Sequence, residues 1–158
     1  MITVFGEEFL KPLVKYGKKI PLYSIPKDGR GIYSEKTGRF LATHPRGKTE
    51  YLKTSVNIPR ELFDDYDYHL DNDKFCRVTF DIHRAVMESW KPIDTYPPES
   101  LKSSWCNVPE EWRKWVRETA LIDHIDANPL NNHIDNLRWV TPKENNYYRK
   151  ALESNEFT

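Results

Sequence analysis

An adjacent Asp123–His124 pair, followed by Asn145 beyond a turn-rich stretch, is a set of side chains that can hold a hard cation and move a proton. A divalent cation such as Mg2+ or Mn2+ prefers oxygen ligands, and the Asp123 carboxylate and Asn145 amide oxygen supply two of them. Water and the oxygens of a bound phosphate would fill the other positions. His124, on the opposite strand face from Asp123, is then placed to take a proton from an attacking water near neutral pH. The chemistry that suits this set is phosphodiester hydrolysis, with one cation stabilising charge on the phosphorane and on the leaving 3′ oxygen.

The elements that must position these groups can be read around them. Ala120-Leu121-Ile122 is a short apolar strand that delivers Asp123 and His124 at its end, and 128–132 is a polar loop. Residues 136–140 alternate as a returning strand, with Leu137 and Trp139 on one face and Arg138 on the other. Thr141 caps a helix that has Pro142 at its first position and Glu144 at its third, a capping box. On that helix Asn145, Tyr148, Arg149 and Leu152 share a face. The product is strand, loop, strand, helix.

The segment DHIDANPLNNHIDNLRWVTPKENN, residues 123–146, resembles the HNH motif of phage homing endonucleases, D-H-x-D-G-N-x-x-N-N, then N-L-R-W-V-T, then Asn. HRAVMESW (83–90) is similar to the His-Arg-Leu-Val helix that precedes that motif. The resemblance implies a ββα-metal unit that cleaves double-stranded DNA with one Mg2+ or Mn2+, giving 5′-phosphate and 3′-hydroxyl ends. It implies Asp123 and Asn145 as metal ligands, His124 as general base, and Asn136 as the middle Asn that braces the loop and helps orient the site. Asn145 stands where many relatives have His, and Ala127 stands where the family has Gly. Roughly twenty more residues, 94–117, separate the 83–90 helix from Asp123 than in close relatives. A junction-resolving endonuclease and a non-catalytic DNA-binding module of the same shape are the alternatives. The phage likeness implies the cytoplasm of an infected bacterium.

Upstream the chain reads as short strands: 20–25, then 31–35 and 39–43 as a hairpin about Lys36-Thr37-Gly38, then 50–58 and 74–82. Pro26-Lys27-Asp28-Gly29 is a turn. The acidic runs in 64–73 read as loops without the ligand order of a calcium site. Residues 83–90 form a helix that stops before Pro92, and the proline-rich 92–109 reads as an extended surface connection. A second helix would follow, with Asn107 as cap and Trp112, Trp115 and Val116 as its apolar face; Trp105, Trp112 and Trp115 are expected in packing. The fold class is therefore α+β: an N-terminal antiparallel β region at 1–81, a helical connection at 82–118 and the ββα-metal unit at 119–153.

Formal net charge is zero, but residues 1–60 hold 12 Lys and Arg against 5 Asp and Glu, and the remainder reverses the balance. A basic part lying on a polyanion and an acidic part holding a cation would give that asymmetry. Lys27, Arg30, Lys36, Arg39, Arg46 and Lys48 cluster near turns and are expected to track a DNA backbone. His83, Arg84, Arg138, Lys143 and Arg149 are expected phosphate contacts nearer the motif. Cys76 and Cys106 are isolated, which excludes a four-cysteine structural zinc and predicts two buried free thiols. No long apolar run suggests a leader or membrane span, so an intracellular soluble protein is expected, monomer or homodimer undecided.

Overall fold

The structure, a computed structural model, describes residues 9–63 and 75–156. The acidic stretch 64–73, with the expected loops, lies outside the described residues. Among the described residues the N-terminal strands are β1 (Leu10–Lys15), β2 (Lys18–Pro26), β3 (Tyr33–Ser34), β4 (Arg39–Phe40), β5 (His44–Pro45), β6 (Leu52–Pro59) and β7 (Phe75–Asp81). Helices α1 (Ile82–Trp90) and α2 (Glu110–Thr119) follow, and then β8 (Leu121–His124), β9 (Leu137–Val140) and α3 (Pro142–Glu156). The fold is α+β with antiparallel sheets, ordered β1-β2-β3-β4, β5-β6-β7 and β8-β9.

The β6–β7 ladder follows its sequence alternation. Val56, Ile58, Cys76, Val78 and Phe80 turn into the core, and Asn57, Arg77 and Thr79 face outward. The expected hairpin closes at Gly38, whose φ is +67° and whose N–H donates to the Ser34 carbonyl at 2.9 Å. Strand β1 has no such legible pattern. Leu10 and Leu13 are both buried although their spacing puts them on opposite faces of a regular strand. A register shift between Pro12 and Val14 brings both inward.

Helix α1 is central, because its period suits burial on several sides. Ile82, Ala85, Val86 and Met87 are all buried, and the helix packs against β1, β2, β6, β7 and β9. Each such side chain contributes roughly 1.5–3 kcal/mol where it is large, so this helix anchors the core. Two indoles fasten its end: Trp90 Nε1 donates to the Ile25 carbonyl at 3.0 Å, and Trp139 Nε1 to the Lys91 carbonyl at 2.7 Å. One hydrophobic cluster thus includes Ile25 from β2, Val78 from β7, Val86 from α1 and Trp139 from β9.

The connection 92–109 departs from the expected extended surface strand. It contains two 3-10 turns, Glu99–Leu101 and Trp105–Asn107, and buries Ile93, Pro98 and Trp105. Asn107 does not cap α2: Val108 is held extended before Pro109, and the helix begins only at Glu110. Only Val116 of the expected apolar face is buried, while Trp112 and Trp115 are 58% and 54% exposed. Neither cysteine forms a disulfide among the described residues; Cys76 is buried, but Cys106 is exposed, at the surface of a turn where burial was expected. No helix among the described residues is long and apolar enough to cross a membrane.

Candidate active site

The β8–β9 pairing sets Asp123 opposite Arg138 and His124 opposite Leu137. Directly opposed residues share a face, so the guanidinium meets the carboxylate: Arg138 Nε and Nη2 reach Asp123 Oδ2 at 2.8 and 2.7 Å. Tyr148 of α3 lies against the guanidinium, its ring centre 3.6 Å from Cζ. Arg138, expected as a phosphate contact, holds Asp123 through Nε and Nη2. Both of its bonds go to Oδ2, which leaves Oδ1 for another ligand.

One residue further, the strand period turns His124 to the other face, where it is buried. Its Nε2 lies 2.8 Å from Asn132 Oδ1. An amide oxygen only accepts, so Nε2 donates its hydrogen, and in the neutral ring Nδ1 keeps its lone pair. The ring sits against Tyr51, with centres 5.7 Å apart, and against His83 at 5.4 Å. Burial, with His124 nearby, lowers the His83 pKa to about 4, so His83 is a neutral ring at neutral pH. Its Nδ1 is buried without a hydrogen-bond partner among the described residues.

The loop between the strands is held by Asn136. Its amide nitrogen donates to Asp126 Oδ1 at 2.9 Å and to the Asn131 carbonyl at 2.8 Å, and its oxygen accepts the Asp126 N–H at 3.0 Å. Asp126 collects bonds from the Asn131 side chain, the Asn128 backbone and the Asn136 side chain, which hold its carboxyl below the usual carboxylate range. Ala127 takes φ +61°, the left-handed conformation that favours glycine. The loop also rests on the N-terminal sheet. Ile134 N–H donates to the Lys27 carbonyl at 2.8 Å, and Gly29 presses against Asn132.

Helix α3 starts as its sequence dictates. Thr141 N–H donates to Glu144 Oε1 at 3.0 Å, and Glu144 N–H donates back to Thr141 Oγ1 at 3.2 Å. The Asn145 N–H then makes a helical bond to the Thr141 carbonyl at 2.9 Å, which fixes Asn145 in the first turn. Asp123, His124 and Asn145 line one cleft of about 540 Å³, together with Tyr51, Ala127 and Arg149. No group of three His, Cys, Asp or Glu side chains able to hold a metal occurs among the described residues. The free Asp123 Oδ1 and the Asn145 amide fit a hard divalent cation that takes its other ligands from water and substrate.

Residues 116–147 match the family model described as HNH endonuclease. The unit formed by β8, β9 and the first turns of α3 is thus similar to an HNH motif. A 34-residue stretch is 59% identical to "Protein 3.8" of Escherichia phage T7, covering 22% of this chain and 28% of that protein. A 37-residue stretch is 43% identical to a protein of Bacillus subtilis (strain 168) named as an SPbeta prophage-derived putative HNH homing endonuclease, YosQ, over 23% of this chain and 21% of that one. These matches span about a quarter of the relatives' lengths. The fold match is wider: a structure titled "DNA binding and cleavage by the HNH homing endonuclease I-HmuI" aligns at TM-score 0.55 and 23% identity, over 91% of this chain and 59% of that chain.

Of the remaining expected residues, Arg149 lines the HNH cleft, and Arg46, His83 and Arg84 line a smaller cleft that also reaches Asn145. Lys27, Arg30, Lys36, Arg39, Lys48 and Lys143 are exposed and line neither cleft. Arg30 is paired with Asp28, its Nη2 at 2.6 Å from Oδ2. Asn132, Tyr51 and Gly29 were not legible as site residues. Asn132 had a signal, a doubled Asn inside the motif; Tyr51 and Gly29 act across long sequence separations and had none.

Proposed function

We propose that this chain is a metal-dependent DNA endonuclease of the phage homing type that hydrolyses phosphodiesters in double-stranded DNA. The observation that carries the reading is the convergence of Asp123, His124 and Asn145 on one cleft. His124 Nδ1 accepts the proton of the attacking water, while Asn132 retains the hydrogen on Nε2 and keeps the ring in that tautomer. Arg138 fixes the rotamer of Asp123, so that Oδ1 faces a ligand without a search over conformers. Asn136 keeps the loop closed and thereby holds Asn132 and His124 in register. Asp123 and Asn145 would hold Mg2+ or Mn2+, which when bound supplies Lewis-acid stabilisation of the phosphoryl charge and the leaving oxygen. The products are 5′-phosphate and 3′-hydroxyl ends.

The test is digestion of plasmid and of linear phage and bacterial DNA by purified protein with Mg2+ or Mn2+, against an EDTA control and the Asp123→Ala, His124→Ala and Asn145→Ala variants. Cleavage that vanishes in EDTA and falls by at least ~100-fold in His124→Ala is expected. Absence of cutting on every DNA, or equal cutting by wild type and Asp123→Ala, would end the reading. Preference for four-way junctions over linear duplex would move the substrate to branched DNA.

A further inference from the structure

A second depression lies outside the HNH unit, where the β1–β2 turn, the outer face of β7 and the first turns of α1 meet. This cleft of about 450 Å³ is lined by Lys15, Arg46, Arg77 and Arg84, with Asp81 and Glu88 among its walls. It is not isolated. It shares Arg46, Asp81 and Arg84 with a cleft of about 290 Å³, and that one shares Tyr51, Ile122 and Asn145 with the HNH cleft. The three form one continuous groove that ends at the residues proposed to cut.

Three of its four cations are held in place. Arg46 Nη1 reaches Asp81 Oδ1 at 2.6 Å, Arg84 Nε reaches Glu88 Oε1 at 3.3 Å, and Lys15 Nζ donates to the Thr79 carbonyl at 2.9 Å. Arg77 is exposed on β7 and makes no ion pair among the described residues. Four cations, three of them guanidinium groups, thus face two carboxylates on the walls. An open groove that runs on into its neighbour suits a polymer better than a compact anion, and guanidinium forks match phosphate oxygens.

We infer that the sugar–phosphate backbone of the strand being cut runs along this groove, with the Lys15–Arg46–Arg77–Arg84 cleft binding phosphates beyond the scissile one. This rests on the nuclease reading, and it moves the main backbone contact away from the hairpin turns carrying Lys36, Arg39 and Lys48. Arg77 is the informative residue, since it has no ion pair among the described residues to lose.

The experiment measures binding of a short mixed-sequence duplex in EDTA, where nothing is cut, across a salt series. It compares wild type with Arg77→Ala, Arg77→Glu and the control Lys114→Glu on α2, outside all three clefts. Arg77→Glu is expected to weaken binding by roughly 10-fold at low salt, and Arg77→Ala to reduce the log–log salt slope by about 0.9, one phosphate contact. Lys114→Glu is expected to behave as wild type. Wild-type affinity and salt slope in both Arg77 variants would overturn the groove assignment even if the wild-type protein cuts DNA. Loss of cutting in the wild type with these binding effects retained would instead overturn the nuclease reading and leave the groove standing as a DNA-binding surface.

Discussion

Gly29 approaches Asn132 so closely that a Cβ on the glycine would lie 2.3 Å from the Asn132 carbonyl oxygen and 2.6 Å from its Cβ. Asn132 in turn bonds His124, so a turn in the N-terminal sheet buttresses the proposed general base. Gly29→Ala is therefore expected to act twice. Its φ of +67° adds about 1–2 kcal/mol of backbone strain, and the clash displaces Asn132. Gly47→Ala, also at positive φ but with nothing within 4 Å, isolates the strain alone. Urea midpoints and cleavage rates should fall further in Gly29→Ala than in Gly47→Ala; equal effects would mean that Asn132 gives way freely.

Ala127 makes the opposite case. It holds φ +61° with a side chain where glycine would sit without strain. Ala127→Gly is expected to raise stability by up to ~1 kcal/mol, the relief of strain exceeding the added freedom of the unfolded chain. A denaturant midpoint unchanged or lowered would show that the loop gains nothing from relief.

Asn132 also sets a pH dependence. In Asn132→Asp a carboxylate faces His124 Nε2 and favours the imidazolium, the form that cannot accept a proton. The acid limb of the pH–rate profile should move to higher pH. An unmoved limb with a merely lower plateau would place the rate-controlling proton elsewhere.

His83 links stability to acidity. Its pKa is lowered to about 4 by burial, with the neighbouring His124 adding to the effect, against about 6.5 in an unfolded chain. Between those values the unfolded state binds more protons, so stability declines as pH falls from above ~6.5 towards ~4, by up to about 3 kcal/mol. His83→Phe keeps a flat ring and removes both the titration and the unpartnered Nδ1. The variant should show a flatter pH profile of urea midpoints; the wild-type slope persisting would assign it to another group.

The ββα unit was legible because its signals are local. Thr141, Pro142 and Glu144 lie within four positions and dictate where α3 begins, and the strand period alone separates Asp123 from His124. The pairing of Arg138 with Asp123 needed the strand register, which sequence leaves open. Contacts such as Lys27 with Ile134 and Gly29 with Asn132 join segments about a hundred residues apart, and no periodicity encodes them. Trp112 and Trp115 mislead for the converse reason. Their helical spacing with Val116 suggests a buried stripe, yet among the described residues only Val116 meets the core.

The reciprocal bonds between Thr141 and Glu144 have an evolutionary corollary. Each residue added or removed between Thr141 and Asn145 would swing the amide now at position 145 by about 100° around the helix axis relative to the cap, out of the groove. The tail of α3 carries no such constraint, since lengthening it leaves the first turn unmoved. Descendants of this chain are thus free to drift in size at one end of that helix and bound to a fixed count at the other.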